Sequence, residues 1–166
     1  MATEVERKFL VSGTFPSGES SEIHQAYLSL DPERTVRVRI ADDTATLTVK
    51  GKTEGISRQE FEFEIPLDDA HDLLELSVGH PIKKTRTRIP LDGRVWEVDV
   101  FHDANAGLVV AEVELDSEHE EVALPGWLGS EVSNEPRYLN ACLAQCPYSD
   151  WSTNPSPTSE PPEAGT

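Results

Sequence analysis

A period of two residues, with polar or charged residues alternating with mostly apolar ones, dominates the sequence in segments 4–9, 36–40, 46–50, 60–65, 96–100 and 112–115. Side chains of a β-strand point alternately to its two faces, so each segment is predicted to be a strand with one apolar and one charged face. Residues 25–30 and 84–89 add two further segments of strand character. The sequence therefore predicts about eight strands.

Polar segments separate these strands and indicate tight antiparallel connections. Two helices interrupt the strands. The first is predicted to open at Asp68 and to end at Gly79, and the second to run from about Pro136 to Gln145. The predicted fold class is α+β and mostly β. Turn-forming Asp, Asn and Gly residues mark the connections at residues 42–43, 51–55, 92–93 and 105–107.

Like charges lie two residues apart on the polar faces, and this arrangement needs a counter-charge. Such side chains are about 6.6 Å apart on one face of a strand, where their repulsion is unfavourable unless an opposite charge lies between them. An eight-stranded barrel has an interior just wide enough for side chains or one small ligand. If the charged faces point inward, helices and loops must cover the apolar outside. A divalent cation would suit Glu4/Glu6, Glu60/Glu62 and Glu112/Glu114, and a phosphate chain would suit Arg37/Arg39 and Lys84/Arg86.

The charge of the chain narrows the class of ligand. A net charge of −17 argues against general nucleic-acid binding, which depends on a basic surface. Ten of the 14 basic residues nevertheless fall in the short segments 7–8, 37–39, 50–52 and 83–88. This concentration favours a polyanion bound at one place, although ordinary solvated strand faces would also explain it.

No part of the sequence indicates a membrane partner. No apolar run approaches the roughly 20 residues that span a bilayer. The first eight residues are charged from Glu4 onward and lack the apolar region of a signal peptide. A cytoplasmic protein is expected, as a monomer or a homodimer.

Eight motifs in a fixed order carry a resemblance to a known family. Glu4-x-Glu6-x-Lys8 resembles the ExExK motif of the CYTH, or triphosphate tunnel metalloenzyme, superfamily, and the similarity extends over nearly the whole predicted domain. The chain looks most like the short bacterial single-domain members. The other matching motifs are Arg37-x-Arg39, Thr48-Val49-Lys50, residues 57–62, Lys84-Thr85-Arg86, Glu97-x-Asp99, Glu112-x-Glu114 and Arg137-Tyr138-x-Asn140.

The resemblance implies a closed eight-stranded antiparallel β-barrel, a tunnel with a charged lining and a C-terminal helix that plugs one mouth. It also implies a metal-dependent triphosphatase that uses Mg²⁺ or Mn²⁺, with two ions expected. The metal ligands carried over are Glu4, Glu6, Glu60, Glu62, Glu112 and Glu114. The substrate-binding residues are Lys8, Arg37, Arg39, Lys50, Lys84 and Arg86, of which Lys8, Arg39, Lys84 and Arg86 are expected to act in catalysis. Tyr27, Asp99 and Tyr138 match positions to which we assign no chemistry.

The favoured substrate is inorganic tripolyphosphate, split to pyrophosphate and phosphate, because no aromatic or amide cluster that would hold a nucleobase is evident. Related activities stay open as alternatives: a class IV-type adenylate cyclase or a thiamine triphosphatase. A non-catalytic module that binds polyphosphate or nucleotide is a second alternative, and a barrel without any ligand is a third.

The domain is placed at residues 1–149. Residues 150–166 are rich in Pro, Ser, Thr and Glu and are expected to be a disordered tail. Trp96 is expected to be a core residue, Glu64 to be solvated, and Arg58 to pair with a carboxylate.

Overall fold

A computed structural model gives the structure of the chain and describes residues 2–153. The described chain forms nine strands and two α-helices, joined by short 3₁₀ segments. The strands are β1 (Ala2–Val11), β2 (Glu19–Ser29), β3 (Arg34–Ala41), β4 (Thr44–Gly51), β5 (Ser57–Ile65), β6 (Val78–Leu91), β7 (Arg94–Phe101), β8 (Val109–Glu114) and β9 (Leu128–Glu131). The helices are α1 (Leu67–Leu74) and α2 (Asn140–Gln145).

Eight of the strands close into an antiparallel barrel, as predicted. Their order is β5-β4-β3-β2-β6-β7-β8-β1, and β1 closes the ring by pairing with β5 from Ala2↔Glu60 to Val5↔Ser57. The predicted Asp92-Gly93 turn connects β6 to β7, with φ of 52° and 77°, the two positive values that a type I′ hairpin requires.

The apolar faces of the barrel strands point outward and are covered by other parts of the chain. Helix α1 packs Ala70, Leu73 and Leu74 against Val38 and Ile40 of β3. Elsewhere Trp96, which is 1% exposed, packs in an outer layer with Phe9 and Trp127. The barrel is therefore inverted relative to a barrel with an apolar interior: much of its hydrophobic core lies between the wall and its covering segments.

The inner face changes from charged to apolar toward one end. Leu10 continues the inward row of Glu4, Glu6 and Lys8, because residues two apart share a face. Ile82 and Phe101 likewise continue charged rows on β6 and β7, and all three are buried in a cluster that includes Leu143 of α2. Helix α2 thus closes this mouth by packing against the apolar residues at this end of the barrel.

Both predicted helices are shorter in the structure. Helix α1 ends at Leu74, and Leu76, inside the predicted helix, is 70% exposed. Strand β6 already begins at Val78, and Gly79 there has φ of 75°. A Cβ at Gly79 would lie 2.7 Å from the Ala144 carbonyl oxygen, so this close approach to α2 requires glycine.

The second predicted helix is divided. A 3₁₀ turn covers Pro136–Tyr138, and α2 begins only at Asn140. Leu139 between them is extended, with φ of −66° and ψ of 139°. This break re-aims the chain, so that Asn140 reaches the interior of the barrel.

Strand β9 was not predicted, because Leu128–Glu131 lacks both alternation and β-branched residues. It pairs with the C-terminal part of β1, beyond the residues that pair with β5, as Phe9↔Glu131 and Val11↔Leu128. The boundary of the predicted tail falls inside a 3₁₀ segment, Tyr148–Thr153, in which Trp151 is 6% exposed and packs on Tyr138. Residues 154–166 lie outside the described residues, so the tail stays a prediction.

None of the helices within residues 2–153 has the length and apolar character that crossing a membrane requires.

The inverted core leads to a stability prediction. Trp96→Ala should lower the free energy of unfolding by about 3–5 kcal/mol, since it removes a large side chain packed outside the wall. Chemical denaturation measures the change. Its neighbour Val95 is 46% exposed, and Val95→Ala is the matched control, with an expected loss below about 0.5 kcal/mol. Equal losses in the two variants would show that the outer layer is not the core.

Candidate functional site

The barrel interior holds a cavity of about 300 Å³ with an almost entirely charged lining. Within the described residues it brings together all twelve predicted ligands of metal and phosphate. The lining comprises Glu4, Glu6, Lys8, Tyr27, Arg37, Arg39, Lys50, Arg58, Glu60, Glu62, Lys84, Arg86, Arg88, Glu97, Glu112, Glu114 and Asn140. The expected inward orientation of the charged faces is therefore what the structure shows.

Several of the like-charged rows neutralise one another across neighbouring strands. Lys50 Nζ lies 3.0 Å from Glu4 Oε2 and 3.4 Å from Glu60 Oε2. Arg58 Nε lies 3.4 Å from Glu4 Oε1, which confirms the expected pairing of Arg58 with a carboxylate. Lys8 Nζ lies 3.4 Å from Glu112 Oε1. The protein itself therefore supplies counter-charges that the sequence reading attributed to a metal ion or a phosphate.

Asp99 is the anchor of the cationic wall. It is 1% exposed and accepts two hydrogen bonds from Arg86, of 2.7 Å and 2.9 Å. Its Oδ2 also lies 2.8 Å from Lys84 Nζ. Burial raises the pKa of Asp99, but Lys84 and Arg86 outweigh that effect and hold the pKa below its usual value. Asp99 was assigned no chemistry from sequence; its role here is to fix two predicted phosphate ligands.

Two guanidiniums on β3 have no carboxylate within 4.0 Å among the described residues. Arg37 contacts Thr48 through Nη2, at 3.4 Å, and its buried Nε has no hydrogen-bond partner. Arg39 donates from Nε to Gln25 Oε1, at 2.8 Å. Burial, reinforced by Arg37 and Arg86, lowers the pKa of Arg39 to about 9. The positive charge of Arg37 and Arg39 is therefore not balanced by a nearby carboxylate of the described chain, and a bound anion would balance it.

Three carboxylates of the cavity lack a positively charged partner. Glu6, Glu62 and Glu114 form no ion pair within 4.0 Å with any residue that the structure describes. Burial, then Glu112 and Glu4, raise the pKa of Glu6 to about 8. Glu4 differs, because Lys50 and Arg58 outweigh the effect of burial and lower its pKa to about 2. The carboxylate side of the cavity is therefore short of positive charge.

The donor chemistry of this side fits a hard divalent cation. Carboxylate oxygens are the ligands that Mg²⁺ and Mn²⁺ favour. A cation bound beside Glu6 would relieve the repulsion from Glu4 and Glu112 that now favours protonation of Glu6. Within residues 2–153, however, no three acidic, His or Cys side chains stand close enough together to form a ready metal cage. The set fits in chemistry, although Lys8, Lys50 and Arg58 now form ion pairs with three of its carboxylates, Glu4, Glu60 and Glu112.

Two amide side chains at the closed end of the barrel, Gln25 and Asn140, were given no role from the sequence, although Asn140 stands in the matching motif Arg137-Tyr138-x-Asn140. Gln25 is fully buried on β2, and Asn140 lies at the start of α2; Gln25 Nε2 donates to Asn140 Oδ1 at 2.8 Å. Gln25 shares a strand face with Tyr27, so alternation on β2 was the available signal. Glu64 is exposed and absent from the cavity lining, as expected.

Comparisons with known proteins agree with this geometry. A family model described as the CYTH domain matches residues 2–142. A protein of Acetivibrio thermocellus described as an inorganic triphosphatase is 42% identical over 154 residues, covering 91% of this chain and 99% of that protein. Another inorganic triphosphatase, from Nitrosomonas europaea, is 38% identical over 149 residues, covering 86% and 97%. A solved structure described as an inorganic triphosphatase gives a TM-score of 0.63 at 35% identity, covering 85% of this chain and 97% of that one.

The role of Asp99 can be tested through stability. Asp99→Asn should lower the free energy of unfolding by about 3–5 kcal/mol, since it leaves Lys84 and Arg86 buried without their carboxylate. Asp43→Asn, in the exposed turn between β3 and β4, is the control and should change little. Denaturant titration measures both, and a loss below about 1 kcal/mol for Asp99→Asn would remove Asp99 as the anchor.

The crowding of Glu6 predicts a pH dependence in metal-free protein. Because the pKa of Glu6 is raised in the folded state, its contribution to stability is present below the unfolded pKa and is lost as pH rises toward about 8. Glu6→Gln should therefore flatten the decline in unfolding free energy between pH 5 and 8 by about 1 kcal/mol per pH unit. Unfolding titrations in a chelator measure this, and parallel profiles for the two proteins would refute it.

Proposed function

The chain belongs to the CYTH domain family, and from that premise we propose that it hydrolyses inorganic tripolyphosphate to pyrophosphate and phosphate inside the barrel. The observation on which the proposal depends is that one cavity contains both arginines without a paired anion and glutamates without a paired cation. Arg37 and Arg39 on β3 lack an anion, while Glu6 on β1, Glu62 on β5 and Glu114 on β8 lack a cation. A polyphosphate taken up together with a divalent cation satisfies both walls at once.

The nature of the lining supports an inorganic substrate. Among the described lining residues Tyr27 is the one aromatic side chain, and the rest are charged apart from Asn140. A nucleobase or a thiazolium ring would need apolar or stacking contacts that such a lining does not offer. Adenylate cyclisation and thiamine triphosphate hydrolysis therefore have less support than tripolyphosphate hydrolysis.

The basic side chains are proposed to hold the phosphate chain in line and to spread its charge. Phosphoryl transfer needs positioning and electrostatic stabilisation more than covalent help. Arg39, Lys84 and Arg86 lie on adjacent walls of the cavity, with Arg86 and Lys84 fixed by Asp99. Such fixed cations stabilise charge that develops on the transferring phosphoryl group without having to reorganise.

Lys8 and Lys50 are proposed to exchange partners when the site is loaded. Each now pairs with a carboxylate, Lys8 with Glu112 and Lys50 with Glu4 and Glu60. Once those carboxylates serve a divalent cation, the two ammonium groups become available to phosphate oxygens. The ion pairs of the ligand-free cavity thereby keep the lysines inside and charged until substrate arrives.

We propose that Glu4, Glu6, Glu60, Glu62, Glu112 and Glu114 hold Mg²⁺ or Mn²⁺, in two ions. When bound, such ions neutralise phosphate oxygens and lower the pKa of an attacking water. We further propose a cytoplasmic enzyme, acting on this small-molecule substrate as a monomer or a homodimer.

The activity can be tested with a matched pair of arginine variants. The wild-type protein should release phosphate from tripolyphosphate with Mg²⁺ or Mn²⁺, and much more slowly from ATP and thiamine triphosphate. Arg39→Gln should lower kcat/KM by on the order of 100-fold, because one charged donor to phosphate is lost. Arg34→Gln is the control: Arg34 is exposed and pairs with Asp31, so its kcat/KM should stay unchanged.

Two results would contradict the proposal. No phosphate release from tripolyphosphate with either metal would exclude the activity. Equal kcat/KM values for Arg39→Gln and Arg34→Gln would exclude the cavity as its site.

A further inference from the structure

The floor of the cavity, where α2 plugs the barrel, contains a chain of hydrogen bonds with a defined direction. Arg39 Nε donates to Gln25 Oε1 at 2.8 Å, and Gln25 Nε2 donates to Asn140 Oδ1 at 2.8 Å. Lys84 Nζ also donates to Asn140 Oδ1, at 2.9 Å. Two amides therefore link cations on β3 and β6 to the first residue of α2.

The direction of this chain follows from the chemistry of its first member. An arginine guanidinium offers donors and no acceptor, so the oxygen of Gln25 must face Arg39. The amide nitrogen of Gln25 then faces Asn140, which must present its oxygen to receive that bond. The orientation of both amides is thus set by the charge at one end, and a flip of either would bring two donors or two acceptors together.

One consequence concerns the group of Asn140 that remains. Its oxygen already accepts from Gln25 and Lys84, and its side chain lines the cavity. The group left to face the interior is therefore the amide nitrogen, Nδ2, with two N–H donors. No hydrogen bond from Nδ2 to any group in residues 2–153 accompanies the two bonds to Oδ1.

We propose that Asn140 Nδ2 is a neutral phosphate-binding donor at the closed end of the cavity, and that Gln25 is the positioning residue that aims it. The proposal rests on the proposed function and deepens it. A terminal phosphate that reaches the floor meets an N–H donor on α2 together with Lys84 and Arg39, whereas any substituent on that phosphate would collide with the packed side chains that close this end. The floor thus selects an unsubstituted phosphate end, and an organic group could lie only toward the open mouth.

The segment before Asn140 supports this role for the plug. The Tyr138 carbonyl oxygen accepts from Lys8 Nζ at 3.3 Å. Residues 138–140 therefore contact Lys8, Lys84 and, through Gln25, Arg39. The segment that leads into the plugging helix α2 therefore also places three of the predicted phosphate ligands.

Asn140→Asp tests the donor with almost no change in shape. The variant keeps an oxygen toward Gln25 and Lys84 but replaces the inward N–H donors with a carboxylate oxygen. Calorimetric titration with tripolyphosphate in the absence of metal should show affinity weakened by on the order of 100-fold, because a donor is lost and an anion now faces the phosphate. Gln145→Glu, on the exposed side of α2, introduces the same charge and should bind as the wild type does.

Gln25→Glu tests the positioning step. It keeps the acceptor for Arg39 but removes the donor to Asn140 Oδ1, so Lys84 alone is left to hold the orientation of the Asn140 amide. Binding should weaken by about 10-fold or more with Asn140 intact, and KM for tripolyphosphate should rise more than kcat falls.

The outcomes separate the two proposals. Wild-type protein that neither binds nor hydrolyses tripolyphosphate overturns the proposed function and this inference with it. Wild-type protein that binds while Asn140→Asp binds equally well overturns this inference alone. Equal weakening by Asn140→Asp and Gln145→Glu also overturns it, because the effect would then belong to charge on α2 and not to the donor.

Discussion

The structure depends on the compensation of charge inside a closed, narrow space. Eight basic side chains and seven glutamates line one cavity in the described part of the chain, and isolated burial of any of them would be strongly unfavourable. Closure of β1 onto β5 brings Glu4 beside Arg58, while the pairing of β4 with β5 sets Lys50 opposite Glu60. The ion pairs that result make a charged interior compatible with a folded barrel.

The charges of the cavity are not all paired, and the unpaired charges are separated by sign on different parts of the wall. This separation is what suits the cavity to an anion bound together with a cation. On the β6–β7 wall Asp99 pairs with both Lys84 and Arg86, so these two cations are fixed in place. The β3 wall is left with excess positive charge and the β1–β8 side with excess negative charge. The whole chain carries a net charge of −17, so an anionic ligand is attracted by the local arrangement of cations and not by the overall charge. The same apolar residues that close one mouth also place Asn140 against the cations of the floor.

Much of this architecture was accessible from the sequence, because a period of two residues reports directly which side chains share a strand face. Alternation placed Glu4, Lys8, Arg39 and Glu112 on inward faces, and the structure agrees. The cross-strand partners could not be found in this way. The pairing of Lys50 with Glu4 depends on barrel closure between segments nearly fifty residues apart, and the role of Gln25 depends on the path of α2. Strand β9 and the break at Leu139 arise from tertiary contacts that outweigh weak local preferences.

The most direct test of the central claim is diffraction from crystals of the wild-type protein soaked with tripolyphosphate. We expect a single phosphate chain inside the barrel, with oxygens within hydrogen-bond distance of Arg37 and Arg39 and one end at the floor beside Asn140. Phosphate density confined to the outer surface of the barrel, with the ion pairs of the cavity undisturbed, would contradict it.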